Sequence, residues 1–129
     1  MKYANRAFNT KRGAMVMQSK SERGSVYGQW RIYEMELWDA DYYNSEVKAF
    51  IKIGKDGSGE FQFGLVQGGI DGEFGGPPEY RFEFTWAGSD ECDEASGSGW
   101  LKLTGKNNVE GEIKFHLGDS SKFQARRAK

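Results

Sequence analysis

The sequence predicts an all-β domain, an antiparallel meander of seven or eight strands that closes into a barrel, with a two-layer sandwich as the alternative. From Gly28 onward, short segments alternate apolar and polar residues, and no long helical pattern interrupts them. The composition agrees, with 15% aromatic residues, 18 glycines and only two prolines in 129 residues. A barrel is favoured because closure removes the sheet edges that invite aggregation.

The predicted strands follow one another with short, glycine-marked turns between them. The plainest alternation falls in residues 79–86, and the clearest turn is 54–59, where an Asp-Gly pair is a strong hairpin signal. Residues 87–99 are predicted to form a long loop around the acidic run 90–94. The strands are expected near residues 29–37, 46–53, 60–67, 79–86, 100–103, 109–117 and 122–126.

The charge distribution separates an acidic body from two basic ends. Residues 1–27 carry six Lys or Arg against one Glu, whereas residues 28–121 carry eight against eighteen Asp or Glu. We expect residues 1–25 to be a flexible basic lead-in and residues 26–127 to be a single barrel domain. Nucleic acid binding needs clustered Lys and Arg, so the acidic body argues against it. The expected partner is a small-molecule ligand or a basic protein.

Cysteine usage and hydropathy favour a reduced, cytoplasmic location. Cys92 is the single cysteine, so no internal disulfide can form. No apolar run approaches the roughly 18 residues of a membrane span, and the start of the chain lacks the apolar core of a secretory signal. We therefore expect a cytoplasmic protein without a membrane partner.

The predicted strand over residues 29–37 carries the residues that suggest a site. Strict alternation puts four of them on one face: Trp30, Glu34, Glu36 and Trp38. If Trp30 points inward, Glu34 and Glu36 enter the core, where two crowded carboxyls could bind a ligand or exchange protons. Two alternatives stay open. The strand is flipped and the glutamates lie in water, or the glutamates are buried in structural ion pairs with arginines.

The predicted function is non-enzymatic binding of a small ligand in an aromatic- and carboxylate-lined barrel interior. A barrel of about eight strands either fills its interior with side chains or holds one small ligand. The predicted ligand-binding residues are Trp30, Glu34, Glu36, Trp38, Tyr80, Phe82, Trp86 and Arg126.

Two other functions remain as alternatives. The first is a protein–protein interaction module that presents the acidic loops 39–46 and 90–94 to a basic partner. The second is a small-barrel enzyme with Glu34 and Glu36 as acid and base. Catalysis ranks below binding because no companion nucleophile, base or metal set accompanies the two glutamates.

Metal and cofactor sites are not predicted. Neither acidic loop has the ligand spacing of a calcium-binding loop, and His116 and Cys92 are too few ligands for zinc. The glycines between residues 68 and 76 are followed by no helix, so they indicate bends of the sheet rather than a phosphate-binding loop.

Two resemblances rest on particular residues. Gly28-Gln29-Trp30, with Arg126 or Arg127 near the end of the chain, resembles the calycins (the lipocalins and their relatives). That resemblance implies a calycin-like barrel in which Trp30 packs at the floor, under an arginine of the closing strand. The motif is only three residues long.

A second resemblance covers residues 28–126. The runs Trp-Arg-Ile-x-Glu-Met-Glu-x-Trp-Asp, Phe-Gln-Phe-Gly, Phe-Thr-Trp-x-Gly-x-Asp-Glu, Ala-Ser-Gly-x-Gly-Trp and Phe-His-x-Gly-Asp-x-Ser are similar to those of a widespread family of small uncharacterised bacterial proteins. This likeness implies a compact domain and a bacterial origin, and it brings no activity with it.

Overall fold

The structure is a computed structural model, and it describes residues 26–128. The predicted lead-in over residues 1–25 lies outside the described residues. Within them the chain forms eight strands and a short helix, α1. The elements are β1 Gly28–Met35, α1 Ala40–Tyr43, β2 Phe50–Ile53, β3 Ser58–Phe63, β4 Val66–Phe74, β5 Phe82–Asp90, β6 Asp93–Gly105, β7 Asn108–Phe115 and β8 Ser120–Arg127.

The strands form a closed antiparallel barrel. Each strand pairs with the next along the chain, and β8 pairs with both β7 and β1. Arg126 of β8 thus lies opposite Asn108 on one side and opposite Arg31 on the other. The predicted closed meander is confirmed, and the sandwich alternative is excluded.

The long loop predicted over residues 87–99 is wrong, because this stretch is strand. β5 continues to Asp90, β6 begins at Asp93, and only Glu91 and Cys92 form the turn between them. Glycine and serine there do not mark a loop. Gly99 packs under a ring of the interior, since a Cβ added to it would lie only 2.5 Å from the ring of Phe84.

Side chains fill the barrel. Five aromatic residues are at most 1% exposed: Trp30, Phe61, Phe63, Phe82 and Phe123. Neighbouring rings meet edge to face, as where the centroids of Phe61 and Trp86 lie 5.1 Å apart. Inward glycines leave room for these rings, since a Cβ on Gly111 would lie 2.6 Å from the ring of Phe123. The interior is therefore a packed core.

A bulge interrupts the pairing of β1 with β8. Ile32 lies opposite Ala125 and Glu34 lies opposite Gln124, so Tyr33 is an extra residue without an opposite partner. A bulge inserts one residue into one strand only, and it reverses the alternation of faces beyond that residue.

The bulge decides which way the glutamates face. Trp30 is fully buried, and beyond the bulge Met35 is the next buried residue, at 6% exposure. Glu34 and Glu36 are both exposed. The prediction that an inward Trp30 carries Glu34 and Glu36 into the core is therefore wrong, although Trp30 does point inward.

The two ends of the barrel differ. At the floor end, where β1 begins and β8 ends, Trp30 lies under Arg127, whose guanidinium carbon is 4.1 Å from the ring centroid. At the opposite end, just before α1, the ring of Trp38 lies 5.1 Å from that of Phe63. None of the helices within residues 26–128 is long and apolar enough to cross a membrane.

Candidate functional site

The residues predicted to bind a ligand do not form one site. Three of them are buried in the barrel: Trp30, Phe82 and Trp86. Trp38 is half-buried beside α1, at the end opposite Trp30, and Tyr80 lies in the turn before β5 with a positive φ of 50°. Three are on or beyond the outer wall and exposed: Glu34, Glu36 and Arg126. Within residues 26–128 no Asp or Glu is buried, so the predicted carboxylate-lined interior is wrong.

The arginine above Trp30 is Arg127, and Arg126 lies elsewhere. Besides covering the indole, Arg127 donates from Nη1 to the backbone carbonyl of Tyr27 at 2.9 Å, and Trp30 donates from Nε1 to the carbonyl of Val26 at 2.8 Å. These bonds tie the residues just before β1 to the last strand. They close the floor of the barrel around Trp30.

The connections opposite the floor converge on one surface, which we call the acidic end and define as residues 36–49, 64–65, 90–94 and 116–119. The amide of Glu91 donates to the carbonyl of Leu65 at 2.9 Å, which joins two of the turns. The amide of Gly64 donates to the carbonyl of Tyr43 at 2.9 Å, which joins a third. The ring centroids of Trp38 and Phe115 lie 6.3 Å apart, and this contact joins segment 36–49 to the start of segment 116–119.

The acidic end carries nine Asp or Glu side chains and one lysine, Lys48. The acidic loops 39–46 and 90–94, which are far apart in the sequence, both belong to it. Within residues 26–128, no group of three or more His, Cys, Asp or Glu is placed to hold a metal ion. The negative charge at this end is therefore spread around a rim rather than focused on one point.

The same end carries the exposed apolar side chains. Among the described residues, four large hydrophobic side chains are exposed, and all four lie there: Leu37 at 48%, Val47 at 41%, Leu65 at 37% and Leu117 at 95%. Exposed leucines are common singly, but a set confined to one end of a domain is typical of an interaction surface.

Leu117 is unfavourable for folding in two respects. Its side chain is almost wholly in water, and its backbone lies in the left-handed region at φ 59°. That conformation favours Gly or Asn and costs a leucine about 1 kcal/mol. Stability alone would select neither the leucine nor its exposure, so Leu117 points to a function.

Tyr43 anchors α1 beneath this surface. Its side chain is 5% exposed, and its hydroxyl donates to the carbonyl of Tyr33 at 2.7 Å. Burial raises the pKa of Tyr43 above its usual value of about 10, and the negative charges of Glu34 and Asp39 raise it further. Glu34 and Asp39 thus both disfavour ionisation of the Tyr43 hydroxyl.

A groove of about 780 Å³ crosses the outer faces of β4 to β7. At its centre Trp100 donates from Nε1 to Oε1 of Glu112 at 3.2 Å. The guanidinium of Arg81 lies 4.5 Å from the Trp100 ring centroid and 3.3 Å from Glu83. The groove's aromatic platform is thus covered by the protein's own arginine, which itself has a carboxylate partner.

Sequence reasoning missed the leucines of the acidic end and the arginine pair of the outer wall described below. Leu65 and Leu117 each stand beside glycine, but both fell within predicted strands, 60–67 and 109–117, so their exposure was not expected. A signal for the bulge was available, because the apolar residues Trp30 and Ile32 stand at even positions and Met35 and Leu37 at odd ones, so the alternation changes phase near Tyr33.

Comparison of the chain with protein-family models, with curated proteins and with solved structures gave no match. The geometry of the described residues is therefore what supports a function.

Proposed function

We propose that this barrel is a non-enzymatic interaction module, and that its acidic end binds a basic protein segment through apolar side chains. One observation carries the proposal: the four exposed large hydrophobic side chains of the described chain coincide with the rim of nine carboxylates. Apolar contacts supply affinity in such an interface, while the charged rim steers and selects a basic partner.

A small ligand inside the barrel finds less support. The rings of the interior pack against each other and against inward glycines, so a ligand would have to displace them. The acid–base alternative needs the two glutamates in a shielded site, and both Glu34 and Glu36 are exposed. Binding at the surface accounts for features that these alternatives leave unexplained, above all Leu117.

A designed peptide tests the proposal. A 15-residue peptide of Lys and Leu, a Lys and Ser peptide of equal charge and a Glu and Leu peptide of equal apolar content would be titrated into the ¹⁵N-labelled chain. Of the three peptides, we expect only the Lys and Leu peptide to bind. The amide shifts that it causes should be confined to the acidic end. Its affinity should fall as salt is raised, because the rim charges are screened.

The sharpest variant is Leu117→Asn. Asn tolerates the left-handed backbone, so Tm should stay the same or rise, whereas peptide affinity should fall about tenfold with the loss of one apolar contact. Thr104→Asn, at an exposed position near the floor end, is the matched control. It should change neither the Tm nor the affinity for the peptide. Shifts scattered over the wall, or unchanged binding in Leu117→Asn, would overturn the proposal.

A further inference from the structure

Two arginines lie side by side on the outer wall. Arg31 of β1 is directly opposite Arg126 of β8, and both point outward because the neighbouring Trp30, Ile32 and Ala125 are buried. Side chains directly opposite each other across antiparallel strands have Cβ atoms about 5 Å apart, and like charges at that distance destabilise the pair. The arrangement therefore calls for a counter-charge.

The residues directly opposite the pair supply none. The other cross-strand neighbours are Phe50, opposite Arg31, and Asn108, opposite Arg126. Within residues 26–128 the ion pairs join Arg81 to Glu83 and Lys102 to Glu110, and neither includes these two arginines. Glu34, the nearest acid along β1, lies opposite Gln124 beyond the bulge.

Arg31 also has an unsatisfied donor. Its Nε is buried and has no hydrogen-bond partner among the described residues. A buried guanidinium N–H without an acceptor is costly, and such a group in a native structure commonly marks a bound water or ion. Arg126 is held nearby, with its guanidinium carbon 4.2 Å from the ring centroid of Tyr33. The aromatic face restricts that guanidinium without using its donors.

We propose that Arg31 and Arg126 bind the phosphate group of a small phosphate monoester on the outer wall of the barrel. Guanidinium forks match phosphate oxygens, and two positive charges match the −1.5 to −2 that a monoester carries near pH 7. The anion relieves the repulsion between the arginines. This site is separate from the acidic end and does not depend on the function proposed for it.

The experiment titrates phenyl phosphate into the ¹⁵N-labelled full chain at low ionic strength, with inorganic phosphate as a second arm and chloride at equal ionic strength as the control. We expect saturable shifts of the Arg31 Nε–H signal and of amides in β1 and β8, with phenyl phosphate and not with chloride. A response to inorganic phosphate as well would show that the anion suffices. A response to phenyl phosphate alone would show that the ester group contributes.

Arg31→Gln and Arg126→Gln should each weaken phenyl phosphate binding at least tenfold. Lys52→Gln removes an equal charge from the neighbouring strand, where Lys52 lies opposite Glu60, and should change the affinity less than twofold. Should Arg31→Gln unfold, Arg126→Gln and the rise in Tm of the native chain with phenyl phosphate still test the site. Equal shifts in chloride, no saturation, or unchanged binding in Arg126→Gln would overturn the proposal.

Discussion

The hydroxyl of Tyr43 donates a 2.7 Å hydrogen bond to the backbone carbonyl of Tyr33, the bulged residue of β1, which has no opposite partner on β8. A bulge leaves backbone groups outside the ladder, and a buried carbonyl needs another donor. The side chain of α1 supplies that donor. The helix at the acidic end and the bulge that turns Glu34 outward are thus stabilised by one contact.

Tyr43→Phe should destabilise the barrel by about 1–2 kcal/mol, because it removes the donor and leaves the Tyr33 carbonyl unsatisfied. Chemical denaturation of the two proteins measures the difference. Tyr80→Phe is the control, since Tyr80 lies in the turn before β5, and it should change the free energy of unfolding by less than about 0.5 kcal/mol. Equal effects of the two substitutions would contradict the anchoring role of Tyr43.

Alkaline pH should weaken the fold through Tyr43. Its pKa is raised in the folded state, chiefly by burial, so the folded state holds the proton more tightly than the unfolded state does. The contribution of protonated Tyr43 to the free energy of unfolding is complete below the unfolded pKa of about 10. It is lost as the pH rises toward the folded pKa. The decline in stability above pH 10 should be shallower in Tyr43→Phe, and denaturation between pH 8 and 11 tests this. Parallel declines would contradict it.

The closed meander was predictable because the evidence for it lies in local alternation and in the turns. Trp86, Phe82 and Ile113 face inward as strict alternation requires. The floor was predictable in part, since an arginine of the closing strand does cover Trp30. The choice between Arg126 and Arg127 depends on which of them faces inward at the end of β8, and the sequence alone left it open.

The candidate site was mispredicted because strict alternation was carried past Tyr33, where a single extra residue reverses the faces of the strand. One unpaired residue at Tyr33 was enough to move Glu34 and Glu36 from the predicted interior to the outside. Such a register shift is fixed by contacts distant in sequence, among them the hydrogen bond from Tyr43. The acidic end likewise arises from the strand order, because the closed barrel places loops 39–46 and 90–94, which are far apart in the sequence, at the same end.

Glu34→Gln and Glu36→Gln should each change the free energy of unfolding by less than about 0.5 kcal/mol, because both side chains are exposed. Ile32→Ala, on the same strand and 1% exposed, is the contrast and should cost about 2–5 kcal/mol. Thermal and chemical denaturation give these values. A large effect of either glutamate substitution would mean that the carboxyl is buried in solution.

Arg127→Gln should destabilise the barrel by about 2 kcal/mol. It removes both the cation–π contact with Trp30 and the charged hydrogen bond to the carbonyl of Tyr27. Arg126→Gln is matched in charge and in sequence position, and it should cost less than about 1 kcal/mol because its contact with Tyr33 is on the exposed wall. A larger loss in Arg126→Gln would show that the wrong arginine has been assigned to the floor.

Gly99→Ala should destabilise the barrel by about 1–3 kcal/mol, because its Cβ would lie 2.5 Å from both the ring of Phe84 and the backbone oxygen of Glu112. Gly69→Ala is the control. Its Cβ would come no closer than 3.9 Å to the carbonyl oxygen of Ala87, so the substitution should be neutral or should stabilise by up to about 1 kcal/mol through the unfolded state. Thermal denaturation of both variants compares them directly. A neutral Gly99→Ala would mean that the interior has spare volume, and binding of a ligand inside the barrel would then regain support.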